Sequence, residues 1–302
     1  VNRRLNGYVV SVLAAAAWAG TSPGISYLQR IQVPSLAIAF WRDVFVALAV
    51  FAIFAFRPAQ LRVSRQTMIG LAISGVVAIG LYHVLWVYSV KMNGPAIAVV
   101  LVYTYNAFTA LGARLLFKEP LRPMHLAALA LSLAGLVLAV RAYDPSTWAA
   151  TWQGTLIGVV SALFQAVYVL YNQRFIQSVN PLVSLGYQMA FGSVIIGVLI
   201  LLFDPPQMLA VGGPENWALL ALLAIGPTLG GYGFFNLAMR YVPGKVAGLI
   251  SVLEVPFAAA LAWLVFGDTL IAPQYVGVVL VLAASVMANV GGVIVDSDSD
   301  SG

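Results

Sequence analysis

The stretch "LISVLEVPFAAALAWLVF" (249–266) is long enough to cross a bilayer and almost wholly apolar, yet it carries Glu254 near its middle. That position is about 12 Å, at 1.5 Å per residue, from the inner end of the apolar span 246–266 that contains it. An ionised carboxylate there costs about 3 kcal/mol even on a lenient insertion scale, so it calls for a water-filled cavity, a cation or a proton. Pro256 follows two residues later and cannot donate to the carbonyl of Val252, which leaves a free acceptor one turn from the carboxylate. Such a spot suits an ammonium group or a proton. The competing reading is a structural ion pair with Arg42.

Arg42 and Asp43 lie near mid-depth in another apolar stretch. Neighbouring helix positions point about 100° apart, so each needs a partner on another helix. Arg42 is read as one member of a structural ion pair, because Arg pairs strongly with buried carboxylates. Asp43 is either an ion partner or a proton carrier. His83, in "LYHVLWVY", suits a proton relay or a hydrogen bond to a neighbouring helix. Trp18, Tyr103, Tyr105, Phe164 and Tyr232 are aromatic groups away from helix ends, and Gln165, Asn106 and Asn236 are polar groups of the same layer. Aromatic faces beside a carboxylate make a pocket that accepts cations; ordinary packing is the alternative for each. "GTSPG" (20–24) and "GPTLGGYG" (226–233) either permit close helix approach or, through Pro23 and Pro227, act as hinges, with Pro256 as a third.

These groups need helices to hold them. The 302 residues are 62% hydrophobic and 8% charged, which points to an all-α polytopic membrane protein. Charges, Pro and Gly divide it into ten spans of about 20 residues: 6–28, 35–56, 67–90, 95–117, 122–141, 153–175, 181–203, 216–239, 246–266 and 273–295. The first apolar run has no small-residue cleavage site and reads as a retained helix. Loops are short, so no soluble domain is expected, and the acidic tail 296–302 should be disordered. With no cysteine and only His83 and His125, neither a metal site nor a disulfide is expected, and no cofactor is called for. Net charge of +5 reports topology here, not nucleic-acid binding. Eleven basic residues fall on one side, against Arg30, Lys91 and Arg141 on the other, which puts both termini in the cytoplasm.

An internal repeat supports the count. "YTYNAFTALGARLLFKEPL" (103–121) aligns without gaps on "VLEVPFAAALAWLVFGDTL" (252–270), pairing Phe117 with Phe266 and Glu119 with Asp268. Upstream, Gly7 pairs with Gly154 and Pro34 with Pro181. Tyr105 is then the counterpart of Glu254 and should face the same cavity. Five spans per copy is odd, so the second copy (147–295) enters the membrane inverted relative to the first (1–146). Inverted repeats are the architecture of alternating-access transporters.

The pattern in each half, a small-residue helix, then "FKEPL" or "FGDTL", then a Gly/Ala-rich helix, resembles the EamA repeat of the drug/metabolite transporter superfamily. "WRD" (41–43) and "LEVP" (253–256) resemble motifs of its bacterial members. The resemblance covers nearly the whole chain. It implies a 5+5 fold, a cavity lined by helices 1, 3, 4, 6, 8 and 9, a place in the bacterial inner membrane and export of small metabolites. The expected function is a secondary transporter exporting a small zwitterionic or cationic, amino-acid-like molecule, with proton coupling through Glu254, Asp43 or His83 left open. A multidrug or cationic-compound exporter is the alternative, followed by a channel-like facilitator. No catalytic constellation appears, so an enzyme is not expected. The partners are a small molecule, the lipid bilayer and, if a carboxylate carries one, a proton; monomer and homodimer are both open. If Arg42 is already paired, no spare positive charge remains to hold a phosphate, so multiply anionic substrates such as nucleotide sugars or sugar phosphates are expected to be excluded.

Overall fold

A computed structural model describes residues 2–117, 123–139, 141, 143–175, 179–242, 244–251, 253–267 and 269–299. Among these residues the chain is helical throughout, without a strand. The first half holds α1 (Asn2–Trp18), α2 (Thr21–Arg30), α3 (Ser35–Ile53), α4 (Arg65–Ser74), α5 (Tyr82–Asn93), α6 (Pro95–Val102), α7 (Tyr105–Phe117) and α8 (Pro123–Ala139). The second holds α9 (Pro145–Phe175), α10 (Pro181–Phe203), α11 (Pro214–Leu223), α12 (Gly231–Ala238), α13 (Gly244–Ser251), α14 (Glu254–Phe266) and α15 (Ala272–Ser299). Two wider, π-helical stretches, Gly75–Leu81 and Ala224–Gly230, join α4 to α5 and α11 to α12.

Local chemistry explains most boundaries. Proline opens α6, α8, α9, α10 and α11, where a missing N–H leaves nothing unpaired. Asn180 Oδ1 accepts the Leu182 N–H at the start of α10, and Ser64 Oγ accepts the Thr67 N–H at the start of α4. Gly94 and Gly267, at φ +77° and +69°, end α5 and α14 in the left-handed region that favours glycine.

Seven helical segments are long and apolar enough to span a bilayer, and Leu126–Ala139, Glu254–Phe266 and Ala272–Ala284 are shorter apolar helices. Leu202, Phe203 and Leu264 stand exposed on the outside, as side chains against acyl chains do. This is a multi-pass membrane protein. Helix α15 runs to Ser299, with neither proline nor glycine from Val293 to Ser299 to stop it. Residues 300–302, Val252, Glu119 and Asp268 lie outside the described residues.

The helix starts recur with one spacing. Arg65, Gly75, Tyr82, Pro95, Tyr105 and Pro123 each precede a counterpart by 149 residues, from Pro214 (214 − 65) to Ala272 (272 − 123). Packing follows the same exchange. Helix α3 packs on α10 and α8 on α15, while the α1–α12 pair is mirrored by α9–α5. The α8–α15 contact is backbone on backbone: a Cβ at Gly277 would lie 2.6 Å from the Gly135 carbonyl oxygen.

The interruptions have separate causes. Thr104 Oγ1 donates to the Leu101 carbonyl and Asn106 Nδ2 to that of Tyr103, so side chains compete for backbone acceptors between α6 and α7. Between α13 and α14, Ser251 Oγ takes the Ala247 carbonyl, and Pro256 falls in the first turn of α14. Pro227 lies inside the second π-helical stretch, where Thr228 Oγ1 bonds the Leu223 carbonyl. The first stretch has no proline. It is instead pressed against α10, where a Cβ at Gly75 would lie 2.6 Å from the Gln188 carbonyl oxygen.

Candidate functional site

The helix interruptions converge on one cavity. Its wall combines Trp18 and Thr21 at the α1–α2 break with Tyr82, His83 and Trp86 of α5. Val102, Tyr103 and Tyr105 come from the α6–α7 break, and Gln165, Thr228, Tyr232, Arg42 and Glu254 complete it. The cavity measures about 40 Å³, room for a few water molecules and far below the several hundred Å³ of a typical ligand pocket. The space between these side chains is therefore narrow in this structure.

The carboxylate side of the cavity is built from the two opposed breaks. Glu254 is the first residue of α14 and is only 7% exposed. A helix N-terminus is the end whose partial positive charge favours a carboxylate. Tyr103 Oη lies 2.8 Å from Glu254 Oε2 and also against the Ser251 carbonyl oxygen. The two acceptors compete for one hydroxyl hydrogen. If Glu254 holds a proton, it donates to Tyr103 while Tyr103 donates to Ser251, and every group is satisfied.

The opposite side is a hydrogen-bond chain. His83 Nδ1 lies 2.7 and 2.9 Å from the two Asp43 oxygens, which makes it the donor. His83 Nε2 is 3.3 Å from Tyr232 Oη. These two residues are 149 apart in the chain, so each is the other's counterpart in the repeat, and they meet where the halves meet. Tyr232 packs edge-on against Trp18 and Tyr168, and Tyr168 donates to Asn236 Oδ1 at 3.0 Å. Gly231 lets the Trp18 indole lie against α12, because a Cβ there would overlap the ring.

Arg42 lies in the cavity wall beside Asp43. Its side chain is 1% exposed, and Nε and Nη2 have no hydrogen-bond partner. Its nearest anion is not on another helix but is Asp43 next to it, with Nε 3.8 Å from Oδ1, beyond hydrogen-bond reach. No ion pair with Glu254 forms. Both Asp43 oxygens are turned to His83. Thr21 Oγ1 and Gln165 Oε1, also in the wall, are likewise buried without a partner. A buried charge with unspent donors costs about several kcal/mol, so this cavity is polarised at a stability cost.

Of the residues singled out in the sequence, Glu254, Tyr105, Trp18, Tyr103, Gln165, Tyr232, His83 and Arg42 share the cavity. Asp43 reaches it through His83. Phe164 packs against the hydrophobic core instead, and Asn106 caps the Tyr103 carbonyl. Pro23 lies buried in the first turn of α2, just after the α1–α2 break. Thr21 and Thr228 were not anticipated. Each stands beside a helix break, within "GTSPG" and "GPTLGGYG", and a hydroxyl in such a motif is the signal that could have found them. Among the described residues no three His, Asp or Glu side chains come together as a metal would need.

The profile of the EamA-like transporter family matches residues 5–141 and again 152–290. An uncharacterized transporter of Archaeoglobus fulgidus is 25% identical over 265 residues, 87% of this chain and 89% of its own. The inner membrane transporter YicL of Salmonella typhimurium is 23% identical over 93% of this chain and 94% of its own. The aromatic amino acid exporter YddG of Ancylobacter novellus is 26% identical over 172 residues, 56% of this chain and 58% of its own. One solved crystal structure, 20% identical, shares the fold with a TM-score of 0.67 over 93% of this chain and 96% of that one.

Proposed function

The chain belongs to the EamA-like transporter family, and from that premise we propose that it exports a small amino-acid-like molecule by alternating access. In this reading ten spans form two five-helix repeats, inverted with respect to each other, with both termini in the cytoplasm. The substrate binds between the halves, where His83 meets Tyr232 and where the α6–α7 and α13–α14 breaks face each other. The observation that carries this is the position of Glu254: a carboxylate at a helix N-terminus, walled by aromatic rings, in a cavity that joins both repeats. Such a wall accepts an amino group.

Aromatic amino acids are the first class to assay, given the aromatic wall and the name of one relative. The narrow cavity must widen to admit any of them, and the breaks near Pro23, Pro227 and Pro256 are the places where it bends. Proton coupling runs through Glu254. Shared-proton geometry with Tyr103 favours a carboxyl that gains and loses a proton during the cycle, and the Asp43–His83–Tyr232 chain is a second route. Among the described residues Arg42 is the one Arg or Lys in the cavity wall, so multiply anionic substrates such as sugar phosphates are excluded. Counterflow in proteoliposomes tests the reading: internal unlabelled L-phenylalanine should draw labelled L-phenylalanine inward, and an internal sugar phosphate should not. Equal counterflow with the sugar phosphate would contradict it.

A further inference from the structure

We infer that Arg42 is the anchor for a substrate carboxylate, so that the cavity recognises a zwitterion and discriminates against plain amines. This deepens the transport reading and rests on it. The observation is the guanidinium itself. It is 1% exposed, faces the cavity, and has Nε and Nη2 without a hydrogen-bond partner. Its neighbour Asp43 supplies a counter-charge at 3.8 Å but spends both oxygens on His83. The planar fork of Arg is the donor set that matches a carboxylate with two parallel bonds.

The rest of the wall supplies the complement. Glu254 presents acceptor oxygens, and Gln165 Oε1 is a buried acceptor without a partner. Thr21 Oγ1, equally without a partner, can serve as either donor or acceptor. A cavity built only for cations has no use for a buried, unspent guanidinium, which repels them. A cavity for an α-amino acid uses both ends: the fork of Arg42 for the carboxylate and Glu254 with Gln165 for the ammonium. Arg42 thus acts as a binding residue that sets specificity.

The test is a binding titration on the purified full chain with four probes that share one ring: L-phenylalanine, its amide, phenethylamine and 3-phenylpropanoate. L-phenylalanine should bind most tightly. Loss of the carboxylate charge, in the amide or the amine, should weaken binding roughly 30-fold or more, as for a buried charge pair losing one member. Arg42→Gln should erase that preference, and Arg42→Lys should keep part of it. The wild-type series alone decides the matter if the variants do not fold. An amide or amine that binds the wild type as tightly as L-phenylalanine overturns the role of Arg42 and leaves the transport reading standing. Failure of all four to bind, with no L-phenylalanine counterflow, overturns the amino-acid reading and this inference with it.

Discussion

The two halves of this molecule share a scaffold and differ in charge. From Arg65 and Pro214 onward the helices start 149 residues apart, and the π-helical stretches correspond residue for residue in length. Yet α3 carries Arg42 and Asp43 while α10, its packing partner across the interface, has no charged side chain between Pro181 and Phe203. His83 of the first half faces Tyr232 of the second, and Glu254 of the second corresponds to Tyr105 of the first. The difference teaches that the repeat supplies the breaks and the cavity, and that substitution within it supplies the chemistry. A guanidinium and an Asp–His pair came to one half, a carboxylate to the other.

The largest effect should come from making the first half resemble the second. Asp43→Ala alone leaves Arg42 without its nearest anion and His83 Nδ1 without an acceptor, and should cost about 3–5 kcal/mol of stability. Arg42→Met with Asp43→Ala copies Met189 and Ala190, which occupy the corresponding stretch of α10. The double variant should regain much of the lost thermal stability in detergent while transporting nothing. If it melts no later than Asp43→Ala, the charges are not the source of the cost.

A smaller effect is expected at the hinges, and it is a kinetic one. If the breaks serve motion, Pro227→Ala and Pro23→Ala should slow counterflow several-fold while leaving binding largely intact. A fall in melting temperature with normal turnover of the surviving protein would instead assign them to packing. Comparing the two variants sharpens the contrast, since Pro227 lies inside a π-helical stretch and Pro23 in the first turn of a helix.

Smaller still, Tyr103→Phe removes one hydroxyl that ties the two halves and should cost about 1 kcal/mol in thermal or chemical unfolding. No change in stability would mean that the tie is not closed in the ground state. The orientation of the halves can be read without perturbing stability at all. Cysteines at Ser64 and Gly213 belong to corresponding loops that the inverted reading places on opposite sides, Ser64 in the cytoplasm. An impermeant reagent should label only the Gly213 variant in intact cells; equal labelling refutes the inversion.

The helices and the repeat were legible because lipid leaves the backbone few choices, and because proline, glycine and charge mark helix ends. Glu254, Tyr105 and Trp18 were legible as functional candidates for a related reason: polar and amphipathic groups inside a span are conspicuous. The partner of Arg42 was not legible. Spacing along one helix does not reveal that His83, forty residues on, would claim both oxygens of Asp43. The π-helical stretch 75–81 escaped as well, since "GVVAIGL" has no proline and its form depends on the close passage of α10. Phe164 lies in the same layer but packs against the core beside the cavity, a difference that side-chain type and depth along the helix do not reveal.

The central claim is that Glu254 couples a proton to substrate movement between the halves. It is tested most directly by labelled L-phenylalanine uptake into proteoliposomes under an imposed pH gradient, comparing the wild type with Glu254→Gln. The substitution keeps the shape and hydrogen bonding of the side chain and removes its ability to ionise. The account predicts that the gradient-driven component disappears in Glu254→Gln, while Asp43→Asn loses less. Gradient-driven uptake that is unchanged in Glu254→Gln would contradict it.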